Sequence, residues 1–340
     1  MKKSLLLMAI AFTTGVVTAS ATCWRINPSP YAGAQFKTVA DAMNDINVLS
    51  GDTLLLDPGT HEDFTLQRNN MTVIGSGYFL DKNKDWSESQ ATIIRSVTLS
   101  EGSKIEGCDI TTLTLRGDNV ASRCKVTNFI DCRPNYYSGE NSLITQCYVS
   151  RIELNQNCIA RNNIVEGTVQ GSSGCIFENN VVVGYTDYWG MNPHIIRQFE
   201  NSTIRNNILI NTRQGFDENQ IPYATAIMYS CSNNVIQNNV MSTPQKYADT
   251  TIPHNLFVGA TVENTFVNEG SDDAKWQLLD SSAAKGAATH GGDCGAFGGP
   301  TPYVLSGIPQ FLPHITEALV PAKPTDGKIT VKLKIANQNE

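Results

Sequence analysis

The sequence has 340 residues, of which 41% are hydrophobic and 17% charged, and its formal net charge at pH 7 is −7. No run of Lys or Arg forms a basic patch, so a nucleic-acid partner is not expected. Beyond the N-terminal segment, no stretch reaches the roughly 18 consecutive apolar residues of a transmembrane helix. A polyanionic substrate would need a local cluster of cations, because the overall charge repels it.

The N-terminus has the pattern of a secretory signal peptide. Lys2 and Lys3 are followed by a mostly apolar stretch over 5–17, and a small-residue motif ends at Ala21. This pattern predicts a signal peptide over residues 1–21 and a secreted, periplasmic or cell-surface protein. Lipidation of Cys23 is the alternative, but the residues before it lack the apolar residue that such a site normally carries.

An amphipathic helix is predicted next, because apolar residues recur at helical spacing. These residues are Phe36, Val39, Ala40, Met43 and Ile46. Short strands separated by Gly, Pro and Asp turns follow over 53–56, 64–66 and 71–74. If the strands begin a solenoid, this helix is placed to close the open end of its core.

A short pattern then recurs along the chain: apolar, any, polar or small, Asn or Cys, any, apolar. Its key residues are Cys108, Cys124, Cys147, Asn163, Asn180, Asn207 and Asn239. Copies without an insertion are 16 or 17 residues apart, as from Cys108 to Cys124 or from Asn163 to Asn180. One copy cannot bury its apolar face alone, so the pattern predicts about nine to eleven stacked coils. Asn side chains at the ~4.8 Å strand spacing can then form a hydrogen-bonded ladder.

The nine cysteines permit several interpretations. An odd number in a secreted protein leaves at least one unpaired. Cys158 and Cys175 each precede a ladder Asn by five residues and are predicted to share a second column. We favour small apolar ladders in the interior over disulfides or metal ligands, and the disulfide pairing stays open.

Four insertions interrupt the repeat, over 130–142, 185–202, 212–224 and 242–255. We expect all four to follow the same strand of the coil and therefore to project from one side, where solenoids often bind ligands. Aromatic rings stack on sugars, and Arg grips carboxylates with two hydrogen bonds. The predicted substrate-binding residues are Arg133, Tyr136, Tyr137, Tyr188, Trp189, Tyr223 and His254.

The insertions also carry groups that suit a uronate lyase, which must neutralise a carboxylate and remove a proton. The predicted catalytic residues are His194, Arg197 and Arg213. Asp187, Asp217 and Glu218 are candidate ligands for Ca²⁺, which binds six to eight oxygen atoms. A hydrolase would instead need two facing carboxylates, and neither an Asn-Thr-Asp nor a Gly-His-Gly signature is present.

The end of the chain differs from the repeat. Residues 320–327 read as a linker, and apolar and polar residues alternate from Ile329 to Ile335, which predicts one amphipathic strand. Because a lone strand is unstable, we expect this strand to dock on the solenoid.

Three segments resemble a known family. The sequence from Phe36 to Asp63 is similar to the entry segment of pectate-lyase-like right-handed parallel β-helices, and Trp276 to Gly299 resembles the way such helices end. The tail from Pro302 is similar to tails of secreted β-helix proteins of Bacteroidetes. The resemblance implies an all-β, right-handed parallel β-helix over 22–300 with an N-terminal capping helix, and a C-terminal extension over 301–340 that packs on it. These motifs carry no catalytic signature.

Two functions from different classes remain. The first is recognition of a polysaccharide outside the cytoplasm, with β-elimination more consistent with the residues than hydrolysis. The alternative is a non-catalytic surface or adhesion scaffold whose loops bind a glycan or a protein. A cleft where an Arg or Lys, a His or Tyr and an acidic pair converge would favour an enzyme. The sequence does not determine the oligomeric state.

Overall fold

A computed structural model describes residues 21–82, 90–133, 139–184, 194–212, 214–216, 222–224, 227–243, 254–257, 259–308, 314–321, 323 and 328–336. For 214–216, 222–224, 254–257, 314–318, 335 and 336 the description covers the backbone alone. Residues 1–20, which hold most of the predicted signal peptide, lie outside the described part.

The described chain winds through three parallel sheets in each coil. The first sheet stacks ten strands: Cys23–Ile26, Thr53–Leu56, Thr72–Ile74, Lys104–Glu106, Val120–Ser122, Leu143–Thr145, Ile159–Arg161, Ile176–Glu178, Thr203–Arg205 and the start of Val235–Met241. Five longer strands bend from the second sheet into the third: Thr92–Thr98, Asp109–Thr114, Lys125–Asp131, Tyr148–Glu153 and Ile164–Gln170.

Shorter strands complete the second and third sheets. The second sheet adds Gly59–His61, Val181–Gly184, Ile208–Asn211, the end of Val235–Met241 and His254–Phe257. The third adds Phe64–Thr65, Ile196–Arg197 and Met228–Tyr229. The parallel β-helix predicted from the sequence is confirmed, and ten levels agree with the predicted number of coils. Its right-handedness stays an expectation.

The predicted Asn ladder is present at the corner between the first and second sheets. Asn163, Asn180 and Asn207 each donate from Nδ2 to the Oδ1 of the next Asn in the column, at 3.0, 3.1 and 2.9 Å, and the column ends at Asn239. Each Oδ1 also accepts a backbone N–H from the coil before it, such as that of Cys147 for Asn163. Buried amides with partners on both sides stabilise the stack, because an unsatisfied buried polar group is costly.

Five of the nine cysteines follow the two predicted interior columns. All nine lie in the described part and none is in a disulfide. Cys108, Cys124 and Cys147 are fully buried and continue the Asn column. Cys158 and Cys175 share the second column, which also contains Ser103, Asn119, Ser142, Ser202 and Asn234. Small side chains of similar volume therefore replace one another within a column.

A second core lies outside the solenoid, against the outer face of the second sheet. Residues 266–308, called here the return segment, lie on the outward-facing side chains of the second-sheet strands. The second-sheet members are Ile164, Val181, Val183, Ile208, Ile210 and Val240, and the return segment contributes Phe266, Trp276, Ala284, Cys294, Ala296 and Tyr303. The segment includes three short 3₁₀ helices, Ala274–Trp276, Thr289–Gly291 and Leu305–Gly307, and follows the short helix Val262–Thr265.

A buried polar cluster fixes the far end of the return segment. The hydroxyl groups of Tyr303 and Tyr78 lie 2.6 Å apart, which joins the segment to an early coil. Asp273 is fully buried and accepts the N–H of Ser306 at 2.7 Å and the hydroxyl of Ser271 at 2.6 Å. Burial raises the pKa of both tyrosines well above the ordinary value. The cluster thus ties the end of the return segment to an early coil of the solenoid.

The capping helix is shorter than the sequence predicts. It spans Val39–Asn44, begins at Thr38 with a capping box to Asp41, and buries Val39, Ala42 and Met43 in the core of the first coils. The prediction is wrong for two residues of the apolar face, since Ala40 and Ile46 are exposed. The chain becomes extended at Asp45, so Ile46 lies beyond the helix, and Val48 is buried in its place.

Two antiparallel hairpins lie apart from the coils. Gln214–Phe216 pairs with Pro222–Ala224. The predicted C-terminal strand is present as Lys332–Ala336, but it is not alone, because it pairs with His314–Leu319. Leu319 and Leu333 of this second hairpin are about half exposed. Its docking on the solenoid stays a prediction.

Candidate functional site

A column of polar side chains runs along the outer face of the third sheet. Asp131, Glu153, Gln170, Arg197 and Tyr229 lie in register on five consecutive coils. The residue before each of them is buried in the core, and strand alternation therefore turns these five outward. A linear ligand parallel to the solenoid axis would meet one of these side chains about every 4.8 Å.

The acidic end of this column is compensated by two arginines. Arg133 donates to the Glu153 carboxylate, and Arg151 Nε lies 3.3 Å from the other oxygen of that carboxylate. The Arg151 guanidinium also lies 5.0 Å from the centre of the Phe129 ring, a distance at which cation–π attraction contributes. The Asp131 carboxylate accepts the backbone N–H of Arg133 at 2.7 Å. The carboxylates here are therefore already committed to partners within the chain.

The other end of the column combines a cation, an imidazole and a phenol. Arg197 and Tyr229 are direct neighbours across two coils. The His194 ring stacks on the Tyr229 ring, with centroids 5.0 Å apart and an interplanar angle of 27°. Gln170 bridges to Gln198, whose backbone N–H donates to the Tyr229 carbonyl at 3.0 Å. These contacts order the outer face from Gln170 to Tyr229.

The electrostatic environment keeps His194 neutral. Burial of the half-buried ring lowers the pKa of His194 below its ordinary value, and the positive charge of Arg197 lowers this pKa further. At neutral pH the lowered pKa favours the neutral imidazole, which is the basic form of the ring. A neutral imidazole beside a guanidinium is the combination that proton abstraction next to a carboxylate requires.

The insertions leave the coil at two different corners, so the prediction that all follow one strand is wrong. Residues 134–138 come after a third-sheet strand that ends at Asp131. Residues 185–193 come instead after the second-sheet strand Val181–Gly184, before the third-sheet strand Ile196–Arg197. The third insertion likewise lies between Ile208–Asn211 and Met228–Tyr229. Third-sheet strands are thus flanked by insertions at both of their ends.

The structure brings together three of the predicted site residues. Arg133, His194 and Arg197 all lie on the third-sheet face. His254 is in a different place, because its backbone pairs with Gln237 at the corner where the first sheet meets the second. The backbone of Tyr223 belongs to the first hairpin. The predicted residues outside the described part are Tyr136, Tyr137, Asp187, Tyr188, Trp189, Arg213, Asp217 and Glu218.

Sequence reasoning missed the residues of this face that belong to the regular coils. Arg151, Glu153, Gln170 and Tyr229 lie within strands and not in the insertions, where the sequence predicted the site. A signal was nevertheless present, because each of the last three follows a buried apolar residue at the end of a third-sheet strand. Tyr229 is also 51% exposed, which is unusual for an aromatic residue in a strand.

The criterion for an enzyme, a convergence of a cation, a His or Tyr and an acidic pair, is met in part. Arg197, His194 and Tyr229 converge, but the acidic pair Asp131 and Glu153 begins two coils away from Arg197. Within the described residues, no group of three or more His, Cys, Asp and Glu side chains could hold a metal ion. The three candidate calcium ligands lie outside those residues, so the calcium site stays a prediction. No helix in the described part is long and apolar enough to cross a membrane.

No family profile and no curated protein sequence matches the chain. Among solved structures, it is similar to a pectin methylesterase from Erwinia chrysanthemi, with 11% identity, 78% of this chain and 99% of that chain covered, and a TM-score of 0.35. A mannuronic acid specific polysaccharide family 6 lyase from human gut microbiota has 14% identity, covers 70% and 59% of the two chains, and has a TM-score of 0.36.

A pectate lyase also has 14% identity, with 82% of this chain and 96% of that chain covered and a TM-score of 0.36. These values are too low to transfer an activity or a site residue to this chain.

Proposed function

We propose that the outer face of the third sheet binds an acidic polysaccharide and that the Arg197 end of this face cleaves it by β-elimination. The observation that carries the proposal is the placement of Arg197 beside a neutral His194 that stacks on Tyr229. Arg133 and Arg151 offset the negative charges of Glu153 and Asp131 on the same face, so these carboxylates do not repel an acidic ligand. Tyr229 offers an exposed ring for stacking on a sugar.

In this proposal the chemistry needs a base and a cation but no facing carboxylates. Arg197 pairs with the carboxylate of a uronate residue, which makes the C5 proton more acidic. His194 takes that proton, and the C5–H electron pair forms a C4=C5 double bond while the C4–O4 bond breaks. The released O4 takes a proton from water. Hydrolysis is less consistent with this face, because Glu153 is already ion-paired with Arg133 and Arg151.

The experiment is to incubate the purified mature chain with uronate-containing and neutral polysaccharides, with and without Ca²⁺. Ultraviolet absorbance of the unsaturated product and reducing ends are measured together. We expect both signals to rise with an acidic polysaccharide. His194→Ala and Arg197→Ala should each lower kcat/KM about 100-fold or more. Arg95→Ala is the matched control, since this exposed arginine pairs with Asp63 and lies five coils before Arg197.

Three results would contradict parts of this proposal. Reducing ends without ultraviolet absorbance would show hydrolysis. Binding of an acidic polysaccharide without product would leave recognition and remove catalysis, which is the alternative of a non-catalytic surface scaffold. Binding that Arg197→Ala leaves unchanged would remove the third-sheet face as the site.

A further inference from the structure

A pocket of about 230 Å³ lies between the outer face of the first sheet and the return segment. It is next to the corner that carries the Asn ladder, on the side away from the second sheet. Its floor is formed by Arg161, Glu178 and Arg205, which face outward in register on three consecutive coils. The return segment supplies the opposite wall with Ala288, Thr289, His290, Gly292, Gly299, Pro300 and Thr301. The pocket belongs to a different sheet from the third-sheet face.

Hydrogen bonds from the corner asparagines fix the shape of this pocket. Asn162 Nδ2 donates to the carbonyls of Ala296 and Gly298 at 2.9 and 2.7 Å. Asn206 Oδ1 accepts the backbone N–H and the hydroxyl of Thr289 at 3.0 and 2.9 Å. Both asparagines are at least nine-tenths buried. The wall is therefore held to the floor at both ends, and the pocket exists before any ligand arrives.

Arg161 is the unsatisfied group of the floor. Arg205 donates to Glu178 from Nε at 2.8 Å, and a second nitrogen of Arg205 lies 2.7 Å from the same oxygen. Glu178 is thus already paired on one side, whereas the guanidinium of its other neighbour, Arg161, makes no hydrogen bond or ion pair to any residue in the described part. Two arginines and one glutamate give the floor a formal charge of +1, in a chain whose net charge is −7. An anion is the ligand that completes this arrangement.

The rim adds hydrogen-bonding groups of both kinds. His290 is exposed and has φ of 65°, a left-handed conformation that is uncommon for a residue other than Gly. Glu178 can accept a hydrogen bond, and so can the hydroxyl of Thr301, which already donates to Asn162 Oδ1 at 3.3 Å. The volume is below the roughly 300–1,000 Å³ of pockets for drug-sized ligands.

We infer that this pocket binds a single sugar unit that carries a carboxylate or sulfate group, with the anionic group on Arg161 and the sugar hydroxyls on Glu178, Thr301 and His290. This site is separate from the proposed cleavage site and does not depend on it. Monosaccharides are therefore the right probes, because a positive result does not require the polysaccharide to be cleaved.

The test is titration calorimetry of the full mature chain with galacturonic acid and galactose, with glucuronic acid and glucose, and with inorganic sulfate. We expect the acidic sugars to bind at least 10-fold more tightly than the neutral ones. Arg161→Ala should lower that affinity at least 10-fold, and Arg161→Lys should recover part of it. Arg95→Ala, which removes an arginine outside the pocket, should leave it unchanged.

A second measurement uses the unaltered protein. An arginine-selective dicarbonyl reagent should modify Arg161, and an acidic sugar should slow this modification at least several-fold, as read by mass spectrometry. Equal binding by wild type and a folded Arg161→Ala variant would overturn the inference. So would equal affinity for acidic and neutral sugars. Binding of sulfate alone, with no acidic sugar bound, would also overturn it, since an inorganic oxyanion would then be the ligand.

Discussion

The second and third sheets are built by the same coils, and five of their strands are continuous from one sheet to the other, yet their outer faces have opposite character. Outward positions of the second sheet change from Asp109 and Lys125 in the early coils to Ile164, Val181 and Ile208 in the later ones. The return segment buries that apolar part. The corresponding column of the third sheet stays polar, from Asp131 to Arg197.

The difference shows that the inward-facing side chains of each strand determine the fold, whereas the outward-facing side chains can serve other contacts. Inward positions are apolar in both sheets, because every coil must contribute to one continuous core. Outward positions are free of this requirement. On the second sheet they bind the chain itself, whereas on the third sheet they carry charges and rings that suit a ligand.

The largest expected effect tests the covered face of the second sheet. Ile208 is fully buried although its side chain points out of the solenoid. Ile208→Ala should lower the free energy of unfolding by about 2–5 kcal/mol, because it leaves a cavity under the return segment. Ile93 is the control, since it occupies the same column six coils earlier and is 44% exposed. Ile93→Ala should change stability by no more than about 0.5 kcal/mol. Similar losses in urea denaturation would mean that the return segment does not cover Ile208.

A smaller effect tests the contact from the side of the return segment. Gly295 has φ of 88°, and a Cβ there would lie 2.7 Å from Cδ1 of Ile208. Gly295→Ala therefore combines left-handed strain with overpacking and should cost about 2–4 kcal/mol. Gly286 also has a positive φ but no close neighbour for a Cβ, so Gly286→Ala should cost only about 1–2 kcal/mol. Equal shifts in melting temperature for the two variants would contradict close packing at Gly295.

The sequence is informative where a residue type is required by the stack and uninformative where it is not. The column from Cys108 to Asn239 could be predicted, because each position must be small and must satisfy its neighbours on two coils. The return segment could not be placed, since 276–299 has no periodicity. The covering of the second sheet could have been inferred from the strands Val181–Gly184 and Ile208–Asn211. Their consecutive apolar residues indicate burial on both faces.

The candidate site was predictable to a smaller extent for the same reason. His194 and Arg197 were found because they lie in or beside an insertion with unusual composition. Their neighbours Gln170 and Tyr229 occupy ordinary strand positions, and only the register of the third sheet shows that they share a column with Arg197. The pocket beneath the return segment could not be predicted, because its two walls are more than 80 residues apart in sequence, as Asn206 and Thr289 show.

Alkaline pH offers a third way to compare the covered face with the solenoid core. Burial raises the pKa of the Cys294 thiol to about 12. Because the folded pKa is above the unfolded value, this thiol contributes stability below about pH 9 that is lost as pH rises from 9 towards 12. Cys294→Ala should reduce the alkaline loss of stability by about 1.4 kcal/mol per pH unit in that window. Cys23→Ala, which removes an exposed thiol, is the control and should leave the slope unchanged. An unchanged slope for Cys294→Ala would show that water reaches the covered face.

The smallest expected effect on stability belongs to the third-sheet face. Arg197 lies on an outward column of the third sheet, so Arg197→Ala should change the free energy of unfolding by no more than about 0.5 kcal/mol. The same variant is expected to lose most of the affinity for an acidic polysaccharide. Measured together, melting temperature and binding separate a residue kept for function from one kept for packing. If Arg197→Ala instead destabilised the chain as strongly as Ile208→Ala, the outer face of the third sheet would be a structural surface like that of the second.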